Sequence, residues 1–185
     1  MNVSALILAG GKATRLGGIA KHEILIDGVS IFDRQVAVLA PNVREILVSS
    51  PRDIAGYRTV RDTVEGAGPL AGIAAGLAAC TTRWLLVVAG DMPYLTSDLI
   101  QTLIDATDEV AEPIDAVGVR SREGLPEPLL CVLNARVRPI VEGRLAAKRY
   151  KASGLLTDEG LAVRWLRDAP AEALRNINSP EDLGR

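Results

Sequence analysis

Short apolar runs alternate with stretches of helical spacing along most of the chain. Residues 3–8 are apolar except for Ser4, the pattern of a strand covered on both faces. Ile31, Phe32, Val36 and Leu39 fall close to a helical period and predict a helix over 31–39. Residues 45–48 predict a second strand and 58–60 a third. A helix of small residues follows over 70–79, with Pro69 in its first turn, and 84–89 is another run with the look of a buried strand. Thr96 supplies an N-cap for a helix to residue 106, with Asp98 in its first turn. Beyond Asp115 the texture changes: 116–119 and 129–133 predict strands flanking an Arg/Glu/Gly/Pro segment. A basic helix is expected over 136–150 and a last strand over 161–166. The repeated βαβ order predicts an α/β fold, a Rossmann-like, doubly wound and mostly parallel sheet with helices on both faces. No internal repeat, low-complexity tract or linker divides it, so one domain is expected over residues 1–185.

Composition narrows the partners. Hydrophobic residues make up 48% of 185 residues, enough for a substantial core. Aromatic residues make up only 3%, so the core must be Leu, Ile, Val and Ala, and few rings remain to stack on bases. Twenty-one basic residues face 23 acidic ones with no basic block, which argues against a nucleic-acid partner. Cys80 and Cys131 lack any metal-site spacing and read as two buried thiols in a reducing compartment. No run approaches 18 apolar residues, so no membrane span is expected. The opening residues lack a basic region, and Gly10 and Gly11 cut the apolar run short. They read as a first strand and not a signal peptide, and a cytoplasmic protein is the expectation.

In a doubly wound sheet, ligands sit outside the C-terminal ends of the strands. That rule selects the loop after Leu8, the segment after Val48 and the loop after Ala89. The first runs Leu8-Ala9-Gly10-Gly11-Lys12-Ala13-Thr14-Arg15-Leu16-Gly17-Gly18-Ile19-Ala20-Lys21. Four glycines in nine residues let backbone N–H groups approach an anion closely. Lys12, Arg15 and Lys21 add three cations. Two familiar phosphate loops do not fit: Leu6 stands where a P-loop needs Gly, Ala13 where it needs a hydroxyl, and the dinucleotide fingerprint is absent. A solvated surface loop is the alternative that composition leaves open. Asp91, after a buried strand, places a hard oxygen at the sheet edge and suits Mg²⁺; a turn or capping Asp is the plainer reading.

Leu-Ala-Gly-Gly-x-x-x-Arg-Leu-Gly-x-x-x-Lys resembles the signature of the sugar-nucleotide-type nucleotidyltransferases. Its double glycine is similar to the molybdenum cofactor guanylyltransferase branch. Gly68-Pro69-Leu70-Ala71-Gly72-Ile73, Gly90-Asp91-Met92-Pro93-Tyr94-Leu95, Pro128-Leu129-Leu130 and 176–183 (Asn-Ile-Asn-Ser-Pro-Glu-Asp-Leu) resemble further blocks of that family, in the same order. The resemblance implies a fold of the nucleotide-diphospho-sugar transferase type. It also implies Mg²⁺-dependent transfer of GMP from GTP to the phosphate of molybdopterin, releasing pyrophosphate. Implied partners are GTP, molybdopterin, and proteins that insert or accept the molybdenum cofactor.

By the same resemblance, Lys21, Arg15 and Asp91 form the catalytic set, with Asp91 the metal ligand. Leu8, Ala9, Gly10, Gly11, Lys21, Ser49, Asp62 and Gly68 hold the nucleotide. Asn176 and Asn178 reach the acceptor or a second metal position. The nucleotide-binding part would span about 1–110 and the acceptor-binding part about 111–185. Ser49 departs from the family, which often has Asn near the base, and this leaves a cytidylyltransferase or another nucleotidyltransferase open. A non-catalytic nucleotide-binding accessory protein is the other alternative; the intact Lys21 and Asp91 argue against it.

A few residues carry two readings. Ser179, Pro180 and Asp182 also spell a plain helix start. Gly68 and Gly72 bring a helix close to the nucleoside or merely pack a core helix. His22, the one histidine, reads as a solvated neighbour of Lys21 and not as a general base. Arg144, Lys148, Arg149 and Lys151 attract an anionic acceptor or form a solvated helix face.

Overall fold

A computed structural model of the chain describes residues 2–10, 12–13, 19–108, 113–167, 169–178 and 182. Strand β1 (Val3–Leu8) is followed by a short hairpin, β2 (Lys12–Ala13) with β3 (Ile19–Ala20), inside what the sequence presents as a plain loop. A 3₁₀ turn at Lys21–Glu23 leads to a second hairpin, β4 (Leu25–Ile26) and β5 (Val29–Ser30). Its two turn residues, Asp27 and Gly28, sit at φ 52° and 79°, the left-handed pair that a two-residue hairpin requires and Asp-Gly favours. Helix α1 (Ile31–Leu39) starts at Ser30, whose Oγ accepts from the Asp33 N–H at 3.0 Å.

Then come β6 (Ile46–Ser49), β7 (Arg58–Val60), α2 (Pro69–Ala79), β8 (Trp84–Ala89) and α3 (Ser97–Asp105). The predicted Thr96 cap is present, accepting from the Leu99 N–H at 3.3 Å. The remaining elements are β9 (Ala116–Arg120), β10 (Pro126–Asn134), α4 (Arg138–Ala146) and β11 (Val163–Leu166). Several expected boundaries change, and the strand expected over 129–133 runs from Pro126 to Asn134. The helix expected to reach Tyr150 ends at Ala146, and Lys148 turns left-handed at φ 55°. The strand expected from Leu161 begins at Val163.

Among the described residues, seven strands form one sheet in the order β11-β9-β10-β8-β1-β6-β7. All run parallel except β10, which is antiparallel to both neighbours. The cause is local: β9 and β10 are joined by a tight turn in which Ser121 N–H donates to Leu125 O at 2.8 Å. So short a connection can only join antiparallel strands. Helices cover both faces, as doubly wound topology requires. Val3, Ala5 and Ile7 pack with α1 and α3, while Leu6 packs with α2 and α4 on the other side. Every residue of β8 is buried, which explains its unbroken apolar run. Among the described residues no helix is long and apolar enough to cross a membrane.

The basic stretch near α4 is largely structural. Arg144 is 3% exposed and donates to the carbonyls of Lys151 (2.8 Å) and Gly154 (3.2 Å) and to Glu159 Oε1 (2.5 Å). Arg149 shares that carboxylate. Neither alternative offered for Arg144 holds: it pins the 151–159 segment, while Lys148 and Lys151 stay on the surface. Cys131 is fully buried, but Cys80 is only partly so, which corrects the expectation of two buried thiols.

Candidate active site

Strand β1 connects outward through α1 to β6, whereas β8 lies on its other side, so the strand order reverses between β1 and β8. This is the switch point where open α/β sheets bind ligands. Leu8 and Ala89 are register partners there, and Gly90 N–H donates to Leu8 O at 3.1 Å. The chains approach so closely that a Cβ at Gly90 would lie 2.6 Å from the Leu8 carbonyl oxygen. On the other side, Ala9 N–H donates to Ser49 O at 2.9 Å. A cavity of about 280 Å³ opens at this edge, near the lower end of the size range for small-molecule sites.

Leu8, Ala9, Gly10, Lys21, Ser49, Asp62, Gly68 and Asp91 all line that cavity. Gly11 and Arg15 lie outside the described residues, as do Ser179, Pro180 and Glu181. At the cavity wall Lys21 Nζ donates to Asp91 Oδ2 at 2.7 Å and to Asn178 Oδ1 at 2.5 Å. Residues 70 and 157 positions away in sequence thus meet on one ammonium group. Asn178 follows from a backbone bond, Ile177 N–H to Asp91 O at 2.9 Å, that lays the 169–178 segment on the Asp91 turn. Asn178 N–H is itself held by Asp182 Oδ2 at 2.9 Å.

The donor set suits a hard cation. Two oxygens, a carboxylate and an amide, already converge on a positive charge, and the Lys21 and Asp91 side chains are 23% and 18% exposed. Among the described residues no group of three or more His, Cys, Asp or Glu side chains forms a cage. A metal here would take its remaining ligands from phosphate oxygens and water, as Mg²⁺ commonly does.

The opposite wall is built around Asp62. Ser49 Oγ donates to Asp62 Oδ1 at 3.2 Å, and a Cβ on Gly72 of α2 would lie 2.6 Å from Ser49 Oγ and 2.8 Å from Leu8 Cδ2. Gly72 therefore lets α2 pack against β1 and β6 at the cavity itself. Partial burial raises the Asp62 carboxyl, and the Ser49 hydrogen bond opposes that shift.

His22 corrects its expectation. It is 6% exposed, lines the cavity, and packs edge-on against Phe32 with ring centroids 6.1 Å apart. Burial holds its imidazole below the ordinary histidine range, against opposing effects of Glu23 and the Ala9 backbone. Asn176 is half-buried; its Oδ1 has no hydrogen-bond partner among the described residues, and it does not line the cavity.

Two further residues were not singled out from sequence. Glu127 lies where β10 shifts register against β9, and its carboxyl is raised by burial, with the charge of Asp91 adding to the effect. Gln35, 1% exposed on α1, donates to Ala89 O at 2.7 Å and Met92 O at 3.1 Å. A lone polar residue on the buried face with Ile31, Phe32 and Leu39 was the signal that could have found it.

An open α/β sheet with Gly10, a lysine and a carboxylate gathered at its switch point is an arrangement suited to nucleotidyl transfer. The family described as the MobA-like NTP transferase domain matches residues 5–163, and the chain belongs to it. The molybdenum cofactor guanylyltransferase of Cupriavidus metallidurans is 35% identical over 194 residues, covering 98% of this chain and 93% of its own. That of Polynucleobacter asymbioticus is 32% identical over 200 residues, covering 98% and 94%. The crystal structure of the molybdopterin-guanine dinucleotide biosynthesis protein A from Archaeoglobus fulgidus superposes with a TM-score of 0.80. It is 23% identical, with 98% of this chain and 95% of that one covered; at that identity the likeness shows the fold, which is of the nucleotide-diphospho-sugar transferase type.

Proposed function

We propose that the protein transfers GMP from GTP to the terminal phosphate of molybdopterin, releasing pyrophosphate and forming the guanine dinucleotide form of the molybdenum cofactor. The observation that carries this reading is the meeting of Lys21, Asp91 and Asn178 at the switch point beside Gly10. The backbone of Leu8, Ala9, Gly10 and Gly11 holds the triphosphate, with Arg15 at its phosphates. Ser49, Asp62 and Gly68 face the nucleoside. Asp91 and Asn178 would hold Mg²⁺, which when bound would draw negative charge from the phosphate oxygens.

Lys21 moves its charge from Asp91 and Asn178 to the reacting phosphate and stabilises the charge that develops there. An oxygen of the acceptor phosphate bonds to the α-phosphorus as the bond to the oxygen bridging to the β-phosphate breaks. A phosphate acceptor needs little deprotonation near neutral pH, so the buried His22 is not required as a base. Residues 1–110 serve the nucleotide and 111–185 the acceptor, in a cytoplasmic protein that passes its product to cofactor-insertion or acceptor proteins.

The test is pyrophosphate release from each of the four NTPs with Mg²⁺ and molybdopterin. Turnover with GTP alone is expected. Preference for CTP would move the assignment to a cytidylyltransferase, and tight NTP binding without turnover would make the protein an accessory factor.

A further inference from the structure

Three chain segments fix the backbone around Asp91. From β1, the Leu8 carbonyl accepts Gly90 N–H at 3.1 Å; from the 169–178 segment, Ile177 N–H bonds the Asp91 carbonyl at 2.9 Å. The third fixing is a side chain. Gln35 Nε2 donates to the carbonyls of Ala89 and Met92, 2.7 and 3.1 Å away, so that one buried amide spans the Gly90–Asp91 turn. Its Oε1 has no hydrogen-bond partner among the described residues. A polar group kept in a helix core at that disadvantage is there for what its other end does.

Helix α1 is also tied to the Lys21 turn. Ile31 N–H, at its first residue, donates to Ile24 O at 3.0 Å. Ile24, Ile26 and Ile31 pack with Ile177 and Tyr94 in a separate apolar cluster. One rigid helix thus joins the segments that carry Lys21, Asp91 and Asn178.

We infer that Gln35 is a positioning residue, which sets the metal affinity of the site by fixing the direction of the Asp91 carboxylate. The inference rests on the reading of Asp91 as metal ligand. Gln35→Met keeps the length and apolar fit of the side chain but removes both donated hydrogen bonds. Gln35→Glu keeps the shape and sets a carboxylate against two carbonyl oxygens. Each should weaken Mn²⁺ binding at least tenfold when titrated by electron paramagnetic resonance in the presence of GTP, without acceptor. GTP affinity in EDTA should stay within about twofold of wild type, and kcat should fall far more than KM for GTP changes.

Arg144→Met, which loosens the 151–159 segment on the opposite face of the sheet, is the comparison for lost stability: it should lower the melting temperature and leave Mn²⁺ affinity unchanged. Wild-type Mn²⁺ affinity in whichever Gln35 variant folds would overturn the inference, even if that variant melts early. Pyrophosphate release by the wild-type protein reports separately on the proposed function. If it fails while the Gln35 variants lose Mn²⁺, the function falls and the inference stands.

Discussion

Gly90 is the position where stability and chemistry can be perturbed by a single methyl group. A Cβ there would sit 2.6 Å from the Leu8 carbonyl oxygen and 3.4 Å from Ala9 Cα. A carbon–oxygen contact relaxes only at roughly 3.3 Å, so Gly90→Ala must part the ends of β1 and β8 by about 0.7 Å. Both partners are backbone, and neither can swing aside. Overpacking of this kind costs about 1–3 kcal/mol, and the Gly90 N–H bond to Leu8 O stretches with it. Displacing a catalytic group by about 1 Å costs on the order of 10²-fold; the smaller shift at Asp91, the next residue, should cost at least about tenfold in kcat.

Urea unfolding measures the first effect, with an unchanged m-value expected, and pyrophosphate release under saturating substrates the second. Gly10→Ala is the control, because a Cβ at Gly10 meets nothing within 4 Å. Its stability should stay within about 0.5 kcal/mol of wild type, and any loss should appear as weaker nucleotide binding. Wild-type stability and turnover in Gly90→Ala would refute the argument that the switch point has no room for a side chain.

Other perturbations test separate parts of the site. Lys21→Ala should lose on the order of 10²-fold or more in kcat/KM; near-wild-type turnover in a folded variant would remove Lys21 from the reacting centre. The Glu127 carboxyl is raised in the folded chain by burial first and by the Asp91 charge as well. A raised carboxyl favours folding below its unfolded value, and that contribution is lost as pH rises through the folded value. Glu127→Gln should therefore be more stable than wild type at pH 7, with the gain fading below the ordinary glutamate range. Urea midpoints across pH check this, and a pH-independent difference would contradict it. Burial pushes the Cys131 thiol up to about 12, so a thiol reagent at pH 8 should label Cys80 in the native protein and Cys131 only on unfolding. Rapid native labelling of both would show that the core opens at β10.

What was legible in the sequence divides along physical lines. Runs long enough to express a period were readable: 84–89 is β8 residue for residue, and 31–39 is α1. The strand-end rule selected the edge of the sheet at which the cavity opens, since it depends on topology and not on contacts. The two hairpins between β1 and α1 escaped because two-residue strands carry no period, although Asp27-Gly28 between Ile26 and Val29 was a turn signal. The reversal of β10 was implicit in the short spacer after β9. The burial of His22 was hidden by its charged neighbours, Lys21 and Glu23. That Asp91 and Asn178 both accept from the Lys21 ammonium could not be read from spacing, which says nothing of distance in space; only the family resemblance had grouped the three.

The 157-residue span between Lys21 and Asn178 has a kinetic consequence. Among the described residues this hydrogen bond joins positions farther apart in sequence than Lys21–Asp91 or Ser49–Asp62 does, and the entropy of closing so long a loop must be met before it forms. The cavity at the β1 edge needs β1 paired with β6 and β8, whereas the Lys21–Asn178 contact also needs the 169–178 segment docked on the Asp91 turn. The arrangement around Lys21 is thus a property of the whole tertiary structure and of no single segment.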